Sequence, residues 1–102
     1  MVSIIDKHRK ELIDLCRKHY VKRLDVFGSV VIDDFSRSSD IDFLVEFDSA
    51  VNPRRFDNFF ELHRALEQLF GCSIDLVEPG GLNNPYFIRQ IDKTRRNIYA
   101  SS

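Results

Sequence analysis

Seven consecutive residues, Ile41-Asp42-Phe43-Leu44-Val45-Glu46-Phe47, alternate with the period of a pleated strand. Ile41, Phe43, Val45 and Phe47 share one face, and Asp42 and Glu46 lie on the other. One side therefore reads as core and the other as a working or solvated face. The surrounding chain predicts the rest of the architecture. Ser3 and Asp6 form a variant capping box, and Ile5, His8, Leu12, Leu15, Cys16 and His19 recur at helical spacing, which predicts an amphipathic helix over about 4–19. Lys22 to Phe27 reads as a strand that stops at Gly28-Ser29, and 30–39 as one helical turn followed by a loop. From Arg55 to Phe70, the residues Phe56, Phe59, Phe60, His63, Leu66 and Phe70 trace a helical stripe closed by Gly71. Cys72 to Glu78 reads as another strand, stopped by Pro79-Gly80-Gly81. Asn84-Pro85 is a helix start, with Tyr86, Phe87, Ile88 and Ile91 on the apolar side, and Asn97-Ile98-Tyr99 is a candidate edge strand. The order predicts an α/β (α+β) sandwich, a small mixed β-sheet with helices packed on it.

A chain of 102 residues has room for one modest core, so a single domain spanning 1–102 is expected. Fifteen Lys and Arg stand against sixteen Asp and Glu, a net charge of -1, which argues against strong general binding to nucleic acid. No apolar run approaches the ~20 residues of a membrane span, and the start MVSIIDKHRKELID turns charged before a signal-peptide core can form. A cytoplasmic protein without a membrane partner is the expectation. Cys16 and Cys72 are isolated in sequence and read as small buried hydrophobes. His8, His19 and His63 lie on or beside apolar stripes and read as structural. Lys93, Arg95 and Arg96 read as a solvated basic face, and Glu46 and Glu78 as surface residues.

The acids of the strands carry the chemistry. Asp40 and Asp42 are two residues apart in an extended segment, so both leave the same face, with α-carbons ~6.6–6.8 Å apart. Asp75 interrupts the apolar strand Ile74-Asp75-Leu76-Val77, where a carboxylate is costly to bury without a metal or a donor. If the two strands are neighbours, the three acids meet. Clustered carboxylates repel unless divalent cations neutralise them, and hard oxygen donors suit magnesium or manganese. The glycine turn Gly28-Ser29 offers backbone N–H groups and a hydroxyl to a phosphate beside that metal.

Gly28-Ser29, ten intervening residues, Asp40-Ile41-Asp42 and the later strand aspartate resemble the DNA polymerase beta type nucleotidyltransferase superfamily. The segments SDIDFLVEF (Ser39 to Phe47) and IDLVEP (Ile74 to Pro79) are most similar to its minimal nucleotidyltransferase (MNT) branch, and the resemblance covers nearly the whole chain. It implies that Asp40 and Asp42 bind two Mg2+ ions carrying the triphosphate of ATP or another NTP. Asp75 would help hold the second metal and activate the attacking hydroxyl, and Gly28 and Ser29 would hold the β and γ phosphates. Similar small chains are antitoxins paired with HEPN toxins, so the resemblance further implies transfer of AMP to a hydroxyl of such a partner protein. Exposed aromatics such as Tyr86 and Phe87 could contribute to that contact, although packing the last helix on the sheet is their commoner role. The chain departs from the pattern at Ile32 and Asp33, where the family commonly carries arginine and glycine. Arg37 is the candidate replacement cation, and the alternative is a catalytically degenerate antitoxin that neutralises its partner by binding alone.

That departure generates a direct test. Ile32→Arg should tighten binding of ATP with Mg2+ by about 1.5–3 kcal/mol, the worth of a charge-assisted contact, in a calorimetric titration. An unchanged affinity would mean that another cation, Arg37 first, already serves the phosphates.

Overall fold

The structure is a computed structural model that describes residues 3–28, 40–48, 55–79 and 84–100, with the side chains of Ser3, Ile4, Arg55, Phe56, Phe87 and Gln90 outside the description. The predicted turn at 30–39 and the pair Gly80-Gly81 also lie outside the described residues. Two helices, α1 (Ser3–Lys7) and α2 (Arg9–Lys18), precede strands β1 (Val21–Phe27) and β2 (Ile41–Phe47). Helix α3 (Arg55–Phe70), strand β3 (Ile74–Val77), helix α4 (Pro85–Thr94) and strand β4 (Arg96–Ala100) follow. The sheet order is β3-β2-β1-β4, with β1 antiparallel to both of its neighbours and β2 parallel to β3. A parallel pair needs a crossover, and α3 lies in the connection from β2 to β3. The mixed sheet with packed helices matches the architecture expected from the sequence.

The main core lies on one face of the sheet. Ile41, Phe43, Val45 and Phe47 of β2 join Leu24 and Val26 of β1 and Ile74 and Leu76 of β3 beneath Ile5, Leu12, Cys16, Leu62 and Leu66 of the first three helices. Removing ~25 cal/mol per Å² of apolar surface from water here is the principal stabilisation of the fold. The single helix expected over 4–19 is broken at His8, where the backbone (φ -109°, ψ 16°) leaves the helical path and the ring stands edge-on to Phe70, 5.1 Å between centroids. Cys16 is buried as expected, whereas Cys72, on the turn before β3, is only half-buried.

The second face departs from the simple alternation. Leu44, on the same side as Asp42, is buried with Phe27 and Ile91, and Val77 packs against them. Helix α4 therefore covers this face in part, a packing that the period of β2 alone does not reveal. Asp25, also on this side, is fully buried. Its carboxylate accepts hydrogen bonds from the Arg95 Nε–H and from Asn97 Nδ2 (2.8 Å), with Arg23 Nε 3.2 Å away. A buried charge of this kind is tolerable only when paired and hydrogen-bonded. Arg95, read from the sequence as part of a solvated basic face, is thus an internal ion-pair partner.

Between α2 and α3, the buried His19 and Asn58 clasp each other. Asn58 Nδ2 donates to the His19 carbonyl, which leaves Asn58 Oδ1 to accept from Nδ1–H of His19 (2.8 Å). His63 Nε2 lies 2.7 Å from the carbonyl oxygen of Ile74 and, as its donor, ties α3 to β3. At the start of α4 the expected cap is present: Asn84 Oδ1 accepts from the Tyr86 N–H at 3.0 Å, with Pro85 in the first turn.

Tyr20, between α2 and β1, is held at φ 60° while its carbonyl accepts from the Asp48 N–H (2.9 Å). A left-handed conformation costs an L-residue about 1–2 kcal/mol that glycine does not incur. Tyr20 is 44% exposed, so truncating it also gives up covered surface, and Tyr20→Ala is the reference that loses the same side chain while keeping the backbone cost. Tyr20→Gly should therefore be more stable than Tyr20→Ala by a net ~0.5–1 kcal/mol, read as a higher urea midpoint with an unchanged m value.

Candidate active site

The parallel register of β2 and β3 sets Asp42 directly beside Asp75. Adjacent strands lie ~4.7–4.9 Å apart and paired residues point to the same side, so the two carboxylates stand as neighbours on the face partly covered by α4. Asp42 is half-buried and Asp75 is exposed on the edge strand. Asp40, one residue before β2, is exposed, and its charge bears on both Asp42 and Cys72. The Ile41 N–H donates to the Ser73 carbonyl (3.2 Å), which stitches the starts of the two strands together. Strand order thus makes β2 and β3 neighbours and brings Asp42 and Asp75 together, while Asp40 acts on Asp42 through its charge.

On the other flank, Asp42 pairs with Phe27, the last residue of β1, and Gly28 follows at φ +83°. A Cβ at position 28 would overlap Asp42 Oδ2 and lie 3.3 Å from its Cγ. The Asp42 carboxylate thus occupies space that any side chain at 28 would fill, and the backbone angle independently favours glycine. The Gly28 N–H donates to Thr94 Oγ1 at 2.9 Å. Ser29 and Arg37, like Ile32 and Asp33, lie outside the described residues.

Electrostatics set Asp42 apart. Burial, with the charges of Asp75 and then Asp40, pushes its carboxyl up from 3.8 to about 6. Burial raises the Cys72 thiol as well, with Asp40 and Glu67 adding to it. A half-buried carboxylate pressed by two others is the environment that a hard divalent cation relieves, and the all-oxygen donor set fits Mg2+ or Mn2+. Among the described residues, no group of three His, Cys, Asp or Glu side chains already encloses an ion position. Of the described acids, Asp42 and Asp75 are the pair that register sets side by side, and Asp40 is felt at Asp42 through its charge.

Sequence reasoning missed the support behind these acids. Thr94, and the buried Asp25 with its partners Arg95 and Asn97, join the α4–β4 corner to β1 beside the site. The available signal was Asp25 itself, a carboxylate between Leu24 and Val26 in an apolar strand, the same anomaly that singles out Asp75.

Comparison with known proteins matches residues 5–98 to the family model of the nucleotidyltransferase domain. The chain is 37% identical over 91 residues to a Methanocaldococcus jannaschii protein assigned as a protein adenylyltransferase, covering 89% of this chain and 87% of that relative. A solved structure assigned as a minimal nucleotidyltransferase shares the fold at a TM-score of 0.75 and 30% identity, over 93% of both chains. A chain in the structure of a tri-AMPylated Shewanella oneidensis HEPN toxin with its MNT antitoxin has the same fold at a TM-score of 0.63 and 18% identity. That match covers 99% of this chain and 74% of the other.

The raised Asp42 carboxyl has a thermodynamic signature. The folded protein binds this proton more tightly than the unfolded chain does, so metal-free stability falls as pH rises from about 4 through about 6. Asp42→Asn should therefore melt above the native protein at pH 7 in EDTA, and the two melting temperatures should converge below about pH 4. Added Mg2+ should stabilise the native protein by ~2.7 kcal/mol at a hundredfold excess over Kd, read as a higher melting temperature, and the variant should lose most of that response.

Proposed function

The chain belongs to the nucleotidyltransferase domain family, and we propose that it moves AMP from ATP onto a hydroxyl of a HEPN toxin partner and so acts as an antitoxin. The observation that carries this reading is the Asp42–Asp75 pair, set side by side by strand register with Gly28 clearing room for the Asp42 carboxylate. A protein acceptor is supported by the adenylyltransferase relative and by the AMPylated toxin in the structural match. The net charge of -1 agrees, since it offers little of the basic surface on which nucleic-acid affinity rests.

In this mechanism Asp40, Asp42 and Asp75 would hold divalent cations, two Mg2+ or Mn2+ ions. When bound, such ions neutralise the triphosphate and lower the pKa of the attacking hydroxyl. The acceptor oxygen attacks the α-phosphorus of ATP, the bond from that phosphorus to the bridging oxygen breaks, and pyrophosphate leaves. Asp75, exposed on its edge strand, is open to receive the hydroxyl proton. Asp42, half-buried against Gly28, is fixed in place and suited to orientation rather than proton transfer. The Gly28 N–H is held by Thr94, so Gly28 would serve the phosphates by keeping the turn free of a side chain, Ser29 would hold the β and γ phosphates, and Arg37 would supply the cation that Ile32 does not. Tyr86, 68% exposed on α4, is available to the partner.

Ile32 and Asp33 favour a second reading, an antitoxin that neutralises its partner by binding alone. Radiolabelled ATP, Mg2+, the purified protein, the product of the neighbouring gene and bulk RNA, combined in one reaction, separate the two. The first reading expects label on tyrosines of the partner, lost in EDTA and reduced by about two orders of magnitude or more in Asp42→Asn. A stable complex without label supports binding alone, and label in RNA with none on the partner overturns the protein acceptor.

A further inference from the structure

The C-terminal end of α4 reaches the acidic site from the side opposite β3. Thr94 is the last residue of α4, and its Oγ1 accepts the Gly28 N–H at 2.9 Å while lying 3.4 Å from the Ile91 carbonyl oxygen as a donor. Its neighbour Arg95 is paired with the buried Asp25, whose other oxygen accepts from Asn97. The corner that carries the Thr94 hydroxyl is therefore bolted to β1 two residues before Phe27, the residue paired with Asp42. Gly28 is the hinge between these parts. Its N–H is held by Thr94, its φ of +83° turns the chain out of β1, and its bare α-carbon faces the Asp42 carboxylate.

From this chain of contacts we infer that Thr94 is a positioning residue for the acidic site: its hydroxyl holds the Gly28 peptide in the left-handed turn against which the Asp42 carboxylate rests. Glycine is conformationally permissive, so nothing intrinsic to residue 28 keeps it at that angle. Among the described residues, the hydrogen bond from its N–H to Thr94, whose neighbour Arg95 pairs with the buried Asp25, holds it there. Without it the N–H is left unsatisfied or swings toward another acceptor, and the wall behind Asp42 moves with it. A group displaced by a fraction of an ångström at a metal site loses affinity although no ligand has been removed. The inference rests on the proposed role of Asp42 as a ligand for divalent cations.

The test measures Mn2+ binding to the full chain by electron paramagnetic resonance, in the presence of α,β-methylene ATP, which cannot release pyrophosphate, and against a matched sample of Mn2+ and the analogue without protein, whose own binding is subtracted. Thr94→Val keeps the shape of the side chain and removes the hydroxyl, whereas Thr94→Ser keeps the hydroxyl and removes the methyl. Thr94→Val should bind Mn2+ about tenfold more weakly, the loss expected from one unsatisfied N–H, and Thr94→Ser should bind as the native protein does. Equal binding by native protein and Thr94→Val overturns the inference alone. Equal weakening in Val and Ser assigns the effect to packing of the methyl and overturns it too. Absence of Mn2+ binding by the native protein overturns the metal reading of the acids and the inference with it. Should Thr94→Val fail to fold, Thr94→Ala against Thr94→Ser decides the question on the same scale.

Discussion

Register between two parallel strands governs this molecule. Because Asp42 pairs with Asp75, two like charges stand on neighbouring strands a few ångströms apart, and the remaining structure accommodates that repulsion. Side-chain period in a strand is two, so a slip of one residue would turn Asp42 and Asp75 into the hydrophobic core and send Ile41 and Ile74 out of it. The deep apolar face formed by Ile41, Phe43, Val45 and Phe47 forbids that slip. The core thus does more than stabilise: it commits the acids to the opposite face in a fixed relation. The cost is visible in the carboxyl of Asp42, pushed up to about 6 by burial and by its neighbours.

Elements whose own period decides their fate are legible in the sequence. The strand at 41–47 and the helix at 55–70 are found at their expected bounds, because alternation and a four-residue stripe each leave one solution. The cap at Asn84 is legible for a local reason, a side chain placed to accept from an N–H two residues on. What escapes is set by distant partners. The break at His8 accompanies a ring contact with Phe70, the burial of Leu44 follows from Ile91, and the pairing of Arg95 with Asp25 joins residues 70 positions apart.

The acids follow the same division. Asp40 and Asp42 stand out by spacing alone, and Asp75 by its apolar neighbours, but their meeting depends on strand order, which no local pattern contains. The identical anomaly at Asp25 marks a buried ion pair instead, so a carboxylate in an apolar strand signals a partner without saying whether that partner is a cation side chain or a metal. Edge or centre decides between them. Asp75 lies on the edge strand β3 and stays exposed, while Asp25 lies on central β1 beneath the α4–β4 corner and is sealed.

The pairing of β1 with β4 has a consequence for biosynthesis. Gly28 is bonded to a residue 66 positions later, and Asp25 to residues 70 and 72 positions later. Contacts of such sequence separation form late, because loop closure precedes any reward. A ribosome extending the chain has long since released Asp40, Asp42 and Asp75 when the last of these anchors emerges. Until then Asp25 has, among the described residues, only Arg23 of its own strand as a partner, and a carboxylate at the border of an unfinished sheet opposes premature collapse of that border onto other strands. The acidic site is thus assembled only after nearly the whole of the described chain has been synthesised, and truncated products carry the acids without the corner that holds them in order.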